Sequence, residues 1–125
     1  MDAEELNSKQ YKKRFFLDDL DRFERLGKQA LEPLLEALQY RTPFIRCRAA
    51  EILGKLGAVR AIEPLIKTLE SENDDEYITM WTIWALGEIG DERAIEPLKK
   101  ALKDEYIEIK EAVEWALEKI RYKKK

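Results

Sequence analysis

The side chains best suited to form a binding site are three tryptophans and one methionine in the second half of the chain. Trp81 and Trp84 are three residues apart, so they share one face of a helix, and Met80 adjoins Trp81. Trp115 occupies the position equivalent to Trp84 when the chain is read as a repeat. Aromatic residues and methionine are enriched at the energetic centres of protein interfaces. The pattern predicts an exposed aromatic patch that binds a partner; the alternative is that these rings pack on one another as additional core.

Charged residues of the preceding repeat are expected to flank this patch. In the repeat register, Arg46, Cys47, Arg48 and Glu51 precede the aromatic residues by one unit. The two arginines, with Lys55, predict a basic edge suited to an acidic partner segment. Polar contacts that select the partner are expected from Arg46, Arg48 and Glu51. Neighbouring guanidinium groups can activate the Cys47 thiol. The alternative is a small residue at a variable position, since no base accompanies it.

The sequence argues against several kinds of chemistry. The chain has no histidine, which excludes histidine-based triads and the usual zinc sites as far as sequence can. The acidic stretch from Glu70 to Glu76 lacks the spacing of a calcium loop and is interpreted as a solvated turn. Glycine-rich phosphate loops are also absent. We therefore predict no catalytic residue, no metal site and no cofactor.

Composition narrows the class of protein further. A chain of 125 residues fits a single domain, and charged residues of both signs make up 39% of it. The net charge of −3 argues against nucleic-acid binding, even with the basic tail at 122–125. The acidic start predicts no signal peptide, and no apolar run is long enough for a membrane span. One cysteine and abundant Glu, Lys and Arg suit a cytoplasmic, heat-adapted protein.

An internal repeat explains how these residues are positioned. The run from Ala85 to Leu98, ALGEIGDERAIEPL, recurs in part on both sides at a period slightly above thirty residues. Such a period is typical of stacked helical hairpins. We predict an N-terminal capping helix over 8–27, repeats over 28–57, 58–90 and 91–121, and the basic tail. The first helices are predicted at Gln29–Tyr40, Arg60–Glu70 and Asp91–Lys103, and the second helices at Phe44–Leu56, Tyr77–Ile89 and Ile107–Ile120.

Glycine, proline and polar residues mark the ends of these helices. Asn7 or Ser8 is the expected N-cap of the first helix, whose apolar face comprises Tyr11, Phe15, Leu20, Phe23 and Leu26. A left-handed glycine is expected at 27, 57 and 90, and Asp91 is an expected N-cap. Pro33, Pro64 and Pro97 lie near the starts of the first helices, where proline either is tolerated or kinks the helix. Glycines 54 and 87 lie inside helices, so we expect the next unit's first helix to approach them closely.

The segments from Ile45 to Gly57 and from Ile83 to Leu102 resemble the short HEAT-like repeat of the bilin (phycobilisome) lyase type. The resemblance covers about residues 26–120 and implies an all-α solenoid whose second helices line a concave face. Related HEAT hydroxylases of the deoxyhypusine type use His–Glu pairs, which this chain lacks. The fold also serves plain adaptors, so function follows from the site rather than from the fold.

Together these features predict a non-catalytic module that binds a protein or peptide segment on its concave face. The alternative from another class is an accessory lyase or chaperone-like factor for a tetrapyrrole-type ligand, because flat aromatic surface suits a flat ligand. A third alternative is a homodimer formed through the same aromatic patch.

Overall fold

The computed structural model describes residues 14–71, 75–103 and 106–123, and every regular element within them is helical. The α-helices are α1 (Leu17–Leu26), α2 (Leu31–Ala37), α3 (Pro43–Leu56), α4 (Ile62–Glu70), α5 (Glu76–Ile89), α6 (Ile95–Ala101) and α7 (Ile107–Lys123). Short 3-10 turns at Gly27–Ala30, Val59–Ala61 and Glu92–Ala94 lead into α2, α4 and α6. The predicted all-α solenoid is confirmed.

The helices stack as three hairpins behind α1. Helices α2 and α3, α4 and α5, and α6 and α7 pair within the hairpins, and the most extensive contacts between hairpins join α3 to α5 and α5 to α7. Aligned side chains of these three second helices form much of the core: Ile45, Ile78 and Ile109, then Ala49, Thr82 and Val113, then Ile52, Ala85 and Ala116. Helix α5 therefore has a neighbour on both sides.

The starts of the first helices resolve the role of the prolines. Each predicted first helix begins as a 3-10 turn and becomes an α-helix two residues before its proline. Pro33, Pro64 and Pro97 are thus the third residues of α2, α4 and α6. The first four N–H groups of an α-helix have no partner within it, so proline at this position removes no helical hydrogen bond. Asp91 caps the third unit as predicted, accepting a hydrogen bond from Arg93 N at 2.9 Å.

The first described helix is shorter than the one predicted over 8–27. It begins at Leu17, where the Asp19 carboxylate accepts a hydrogen bond from Phe16 N at 2.9 Å. Phe15 precedes the helix and is buried, with its ring edge-on to Phe23 and Tyr40. Leu26, expected on the apolar face, is exposed. The expected caps Asn7 and Ser8, and Tyr11, lie outside the described residues.

Two of the three glycines at helix ends have the predicted conformation. Gly57 and Gly90 are left-handed, with φ of 63° and 75°. Gly27 also has positive φ, but its ψ of −131° places it outside the left-handed helical region. The difference arises because Gly27 opens the 3-10 turn that leads into α2.

The glycines inside α3 and α5 are approached by a different helix from the one expected. A Cβ added at Gly54 would lie 2.8 Å from Cζ3 of Trp84 and 2.9 Å from Cα of Ala85. One added at Gly87 would lie 2.8 Å from Cζ3 of Trp115. These neighbours belong to the second helix of the next unit, not to its first helix. Because each glycine has no side chain, the tryptophan and backbone of the next unit can pack directly against it.

This contact predicts the effect of adding a methyl group. Gly54→Ala gains about 1 kcal/mol of helix propensity, but crowding against the Ala85 backbone costs about 1–3 kcal/mol. We expect a lower midpoint of urea unfolding. The matched control is Glu118→Ala at the equivalent position of the last unit, where the side chain is exposed, with an effect within about 0.5 kcal/mol. A higher midpoint for Gly54→Ala would show that α3 and α5 are further apart.

A buried hydroxyl offers a second test of the core. The Thr82 hydroxyl has no hydrogen-bond partner in the described part of the chain, so Thr82→Val removes an unsatisfied polar group. We expect it to raise the free energy of unfolding by about 1 kcal/mol. Thr68 is the control, because its hydroxyl donates to the Pro64 carbonyl oxygen at 3.0 Å. Thr68→Val should be neutral or destabilising, and equal effects of both changes would contradict the assignment.

Candidate functional site

A groove of about 560 Å³ lies along the outer face of α5, between α3 and α7. Its lining residues are Glu51, Lys55, Glu76, Tyr77, Met80, Trp81, Trp84 and Glu108. Five of these belong to α5, at positions that share one face of the helix. A volume of this size can accommodate several side chains of a partner or a small ligand.

Aromatic and sulfur-containing side chains form the floor of the groove. The Trp81 and Trp84 rings are nearly perpendicular, at 79°, with their centroids 5.5 Å apart. Both rings and Met80 are half-buried, whereas Tyr77 is exposed. The predicted residues Met80, Trp81 and Trp84 therefore meet in one place. Trp84 also packs over Gly54, and Met80, Trp81 and Trp84 all pack in part against the core, so the alternatives of binding patch and core both apply to them.

Trp115 lies apart from this group. It occupies the repeat position of Trp84 and packs over Gly87, but it does not line the groove. Its side chain has the Lys119 ammonium nitrogen 5.6 Å from the ring centroid. Trp84 and Trp115 pack over equivalent glycines, but only Trp84 also lines the groove.

The predicted basic edge is instead an ion-pair network, in which the Glu24 carboxylate accepts hydrogen bonds from Arg48 at 2.8 Å and Lys55 at 3.1 Å. Arg48 also pairs with Asp21 and Glu51. The hydrogen bond from Arg48 is the main reason that the pKa of Glu24 lies below its ordinary value. Hydrogen bonding to Glu24 likewise raises the pKa of Arg48. These cations are used within the protein and offer little attraction to an acidic partner.

Arg46 and Cys47 are not part of the groove either. The Arg46 guanidinium donates to the carbonyl oxygens of Tyr40 at 2.8 Å and Arg41 at 3.2 Å, which ties α3 to the turn before it. It also borders a separate polar cavity of about 210 Å³ beside α4. Cys47 is partly exposed and lies outside the groove lining. Of the polar residues predicted for partner selection, only Glu51 contributes to the groove.

The groove is acidic, contrary to the prediction. Its lining holds the carboxylates of Glu51, Glu76 and Glu108 against the single ammonium group of Lys55. Tyr77 and Glu108 lie at the starts of the predicted second helices, and Glu76 lies in the acidic stretch interpreted as a solvated turn, so none of the three was predicted to line the site. The repeat register contained the signal, since Phe44, Tyr77 and Glu108 occupy equivalent positions one residue before the aligned isoleucines.

The HEAT repeats family model matches residues 7–79 and 31–118. The chain belongs to the HEAT repeat family. No curated protein matches it. Among solved structures, human deoxyhypusine hydroxylase in complex with glycerol is similar, at 25% sequence identity and a TM-score of 0.76. That similarity covers 86% of this HEAT repeat chain but only 38% of the hydroxylase chain.

Two further features of the described residues bear on the kind of site. Residues 14–71, 75–103 and 106–123 hold no group of three or more His, Cys, Asp or Glu side chains arranged to bind a metal ion. Within the same ranges, none of the helices combines the length and the apolar character needed to cross a bilayer. What the groove offers is an apolar aromatic floor with a carboxylate rim.

The ion-pair network predicts a pH dependence of stability. Because the pKa of Glu24 is lowered in the folded state, the unfolded chain takes up its proton first as the pH falls. The contribution of Glu24 is therefore complete above about pH 4.5 and is lost below it. Since 36% of the Glu24 side chain is exposed, we expect less than about 1 kcal/mol. Glu24→Gln should flatten the fall in unfolding free energy between neutral and acidic pH.

Glu118→Gln is the control for this pH experiment, because Glu118 is an exposed carboxylate without an ion pair to any described residue. It should follow the pH profile of the unaltered protein. If Glu24→Gln also followed that profile, Glu24 would not be the group that couples the network to pH.

Proposed function

We propose that this HEAT repeat protein is a non-catalytic interaction module that binds a segment of a partner protein in the groove along α5. The observation that supports the proposal is the grouping of Tyr77, Met80, Trp81 and Trp84 on one helix face between two other helices. Aromatic side chains and methionine in a partly enclosed, water-excluding site are typical of the anchors that dominate binding energy.

The rigidity of the groove also supports binding. Trp84 is held by its contact with α3, and the Trp81 ring lies against Trp84. Side chains that are already fixed lose little conformational entropy when a partner binds. The floor of the groove is therefore preorganised, while the exposed Tyr77 remains available to close over a bound segment.

The two alternatives find less support. An accessory lyase role for a tetrapyrrole-type ligand would make use of the chain's only thiol, but Cys47 does not line the groove. A homodimer through the aromatic patch would bring the acidic rims of two copies together, which is electrostatically unfavourable. The groove is better suited to a different molecule.

The proposal predicts that trimming the groove abolishes binding without unfolding the protein. Random 12-residue peptides displayed on phage would be selected for binding to the unaltered protein. The affinity of an enriched peptide would then be measured from the change in the protein's tryptophan emission as the peptide is added. Tyr77→Ala combined with Met80→Ala should lower affinity about tenfold or more. Neither side chain is fully buried, so the circular dichroism spectrum should be unchanged.

The matched control is Phe44→Ala. Phe44 occupies the repeat position of Tyr77 in the first unit and is equally exposed, but it lies outside the groove lining. It should leave the affinity unchanged. Equal losses in both variants, or no peptide enriched by the selection, would overturn the proposed function. Sedimentation at twice the chain mass, abolished by the groove variant alone, would favour the homodimer.

A further inference from the structure

The combination of aromatic faces and carboxylates in the groove indicates what kind of group fits there. Glu51, Glu76 and Glu108 line the groove beside the rings of Trp81 and Trp84. The face of a tryptophan attracts a cation within about 6 Å, and the attraction strengthens as water is excluded. Carboxylates next to the rings favour the same charge. A cationic group is thus favoured by both features at once.

The ammonium group of Lys55, which lines the groove, does not neutralise all of these carboxylates. Among the described residues, Lys55 is the one positively charged residue in the lining, and its ammonium nitrogen lies 3.1 Å from Glu24 and 3.3 Å from Glu51. By contrast, Glu76 and Glu108 form no ion pair with any residue that the structure describes, and both side chains are exposed. Negative charge at the mouth of the groove is left uncompensated within the described part of the chain.

In the third unit, a lysine of the protein itself lies against the equivalent tryptophan. On α7, Lys119 lies one turn after Trp115 and places its ammonium nitrogen 5.6 Å from the ring centroid. On α5 the corresponding residue after Trp84 is Glu88, which is paired with Lys119 at 3.4 Å. No described cation lies over the ring of Trp81 or Trp84. The second unit thus has the tryptophan without the cation that covers it in the third.

We infer that the segment bound in the groove is anchored by a lysine or arginine side chain, placed against Trp81 and Trp84 and flanked by Glu76 and Glu108. The inference rests on the proposed function, since it specifies the chemistry of the partner for the same groove. It reverses the acidic partner that the sequence alone suggested.

The composition of the selected peptides is the first test. We expect enriched peptides to share a lysine or arginine, and affinity to fall about tenfold when that residue becomes norleucine or citrulline, which remove the charge but keep most of the shape. A neutral or acidic consensus that still requires Tyr77 and Met80 would overturn the cationic anchor and leave the proposed function standing. If the peptides shared no cationic residue and their binding did not depend on Tyr77 and Met80, the cationic anchor and the proposed function would both be wrong.

Charge-neutral variants test the rim directly. Glu76→Gln combined with Glu108→Gln should weaken a cationic peptide several-fold and reduce the dependence of its affinity on salt concentration. Its citrulline or norleucine version should bind this variant and the unaltered protein equally. Glu96→Gln, exposed and outside the groove lining, should leave both affinities unchanged. An unaltered affinity in the double variant would overturn the role assigned to Glu76 and Glu108.

Discussion

The structure depends on the close approach of successive second helices at a glycine. Gly54 and Gly87 each leave room for a tryptophan ring and for the backbone of the next unit, with less than 3 Å between a notional Cβ and the ring. This contact sets the spacing between α3, α5 and α7, so it also sets the width of the groove between them. It explains why two glycines persist inside helices despite their cost to helix stability.

The first step of the stack is built differently. In the repeat register, Glu24 of α1 occupies the place of Gly54, and Glu51 of α3 occupies the place of Trp84. Instead of a ring over a glycine, this step has a carboxylate that accepts hydrogen bonds from Arg48 and Lys55. Arg48 and Lys55, which the sequence predicted as part of a basic edge, are therefore held in ion pairs within this interface. The acidic character of the groove then comes from Glu76 and Glu108, which form no ion pair with a described residue.

The architecture could be predicted from the sequence because its signals are local and repeated. Each unit carries the same apolar spacing, and the second helices begin within one residue of their predicted starts. The start of α1 could not be predicted, since Phe15 has the right spacing for a helical face but packs against Tyr40 from a position before the helix. Apolar periodicity indicates which residues are buried. It does not distinguish a residue inside a helix from a buried residue just before the helix.

The candidate site was predictable only in part, for a related reason. The register placed Met80, Trp81 and Trp84 on one face, but it could not say what Arg48 contacts, because its partner Glu24 lies 24 residues earlier on another helix. A long charged side chain can reach several ion-pair partners, and the partner that it contacts determines the net charge of the surface. Sequence spacing therefore locates an aromatic surface more reliably than it predicts the charge of the ligand.

The middle unit carries the groove because the helix contact at Gly54 and the groove share only one residue of α5, Trp84. Trp84 is fixed by Gly54, so its position serves the stack. Trp81 packs only in part against the core, and its counterparts in the other units are Arg48, which joins an ion-pair network, and Ala112. Tyr77 is exposed and Met80 packs in part against the core, but neither is among the closest neighbours of Gly54. A repeat unit can in this way acquire a binding surface while the contact that holds the array remains unchanged.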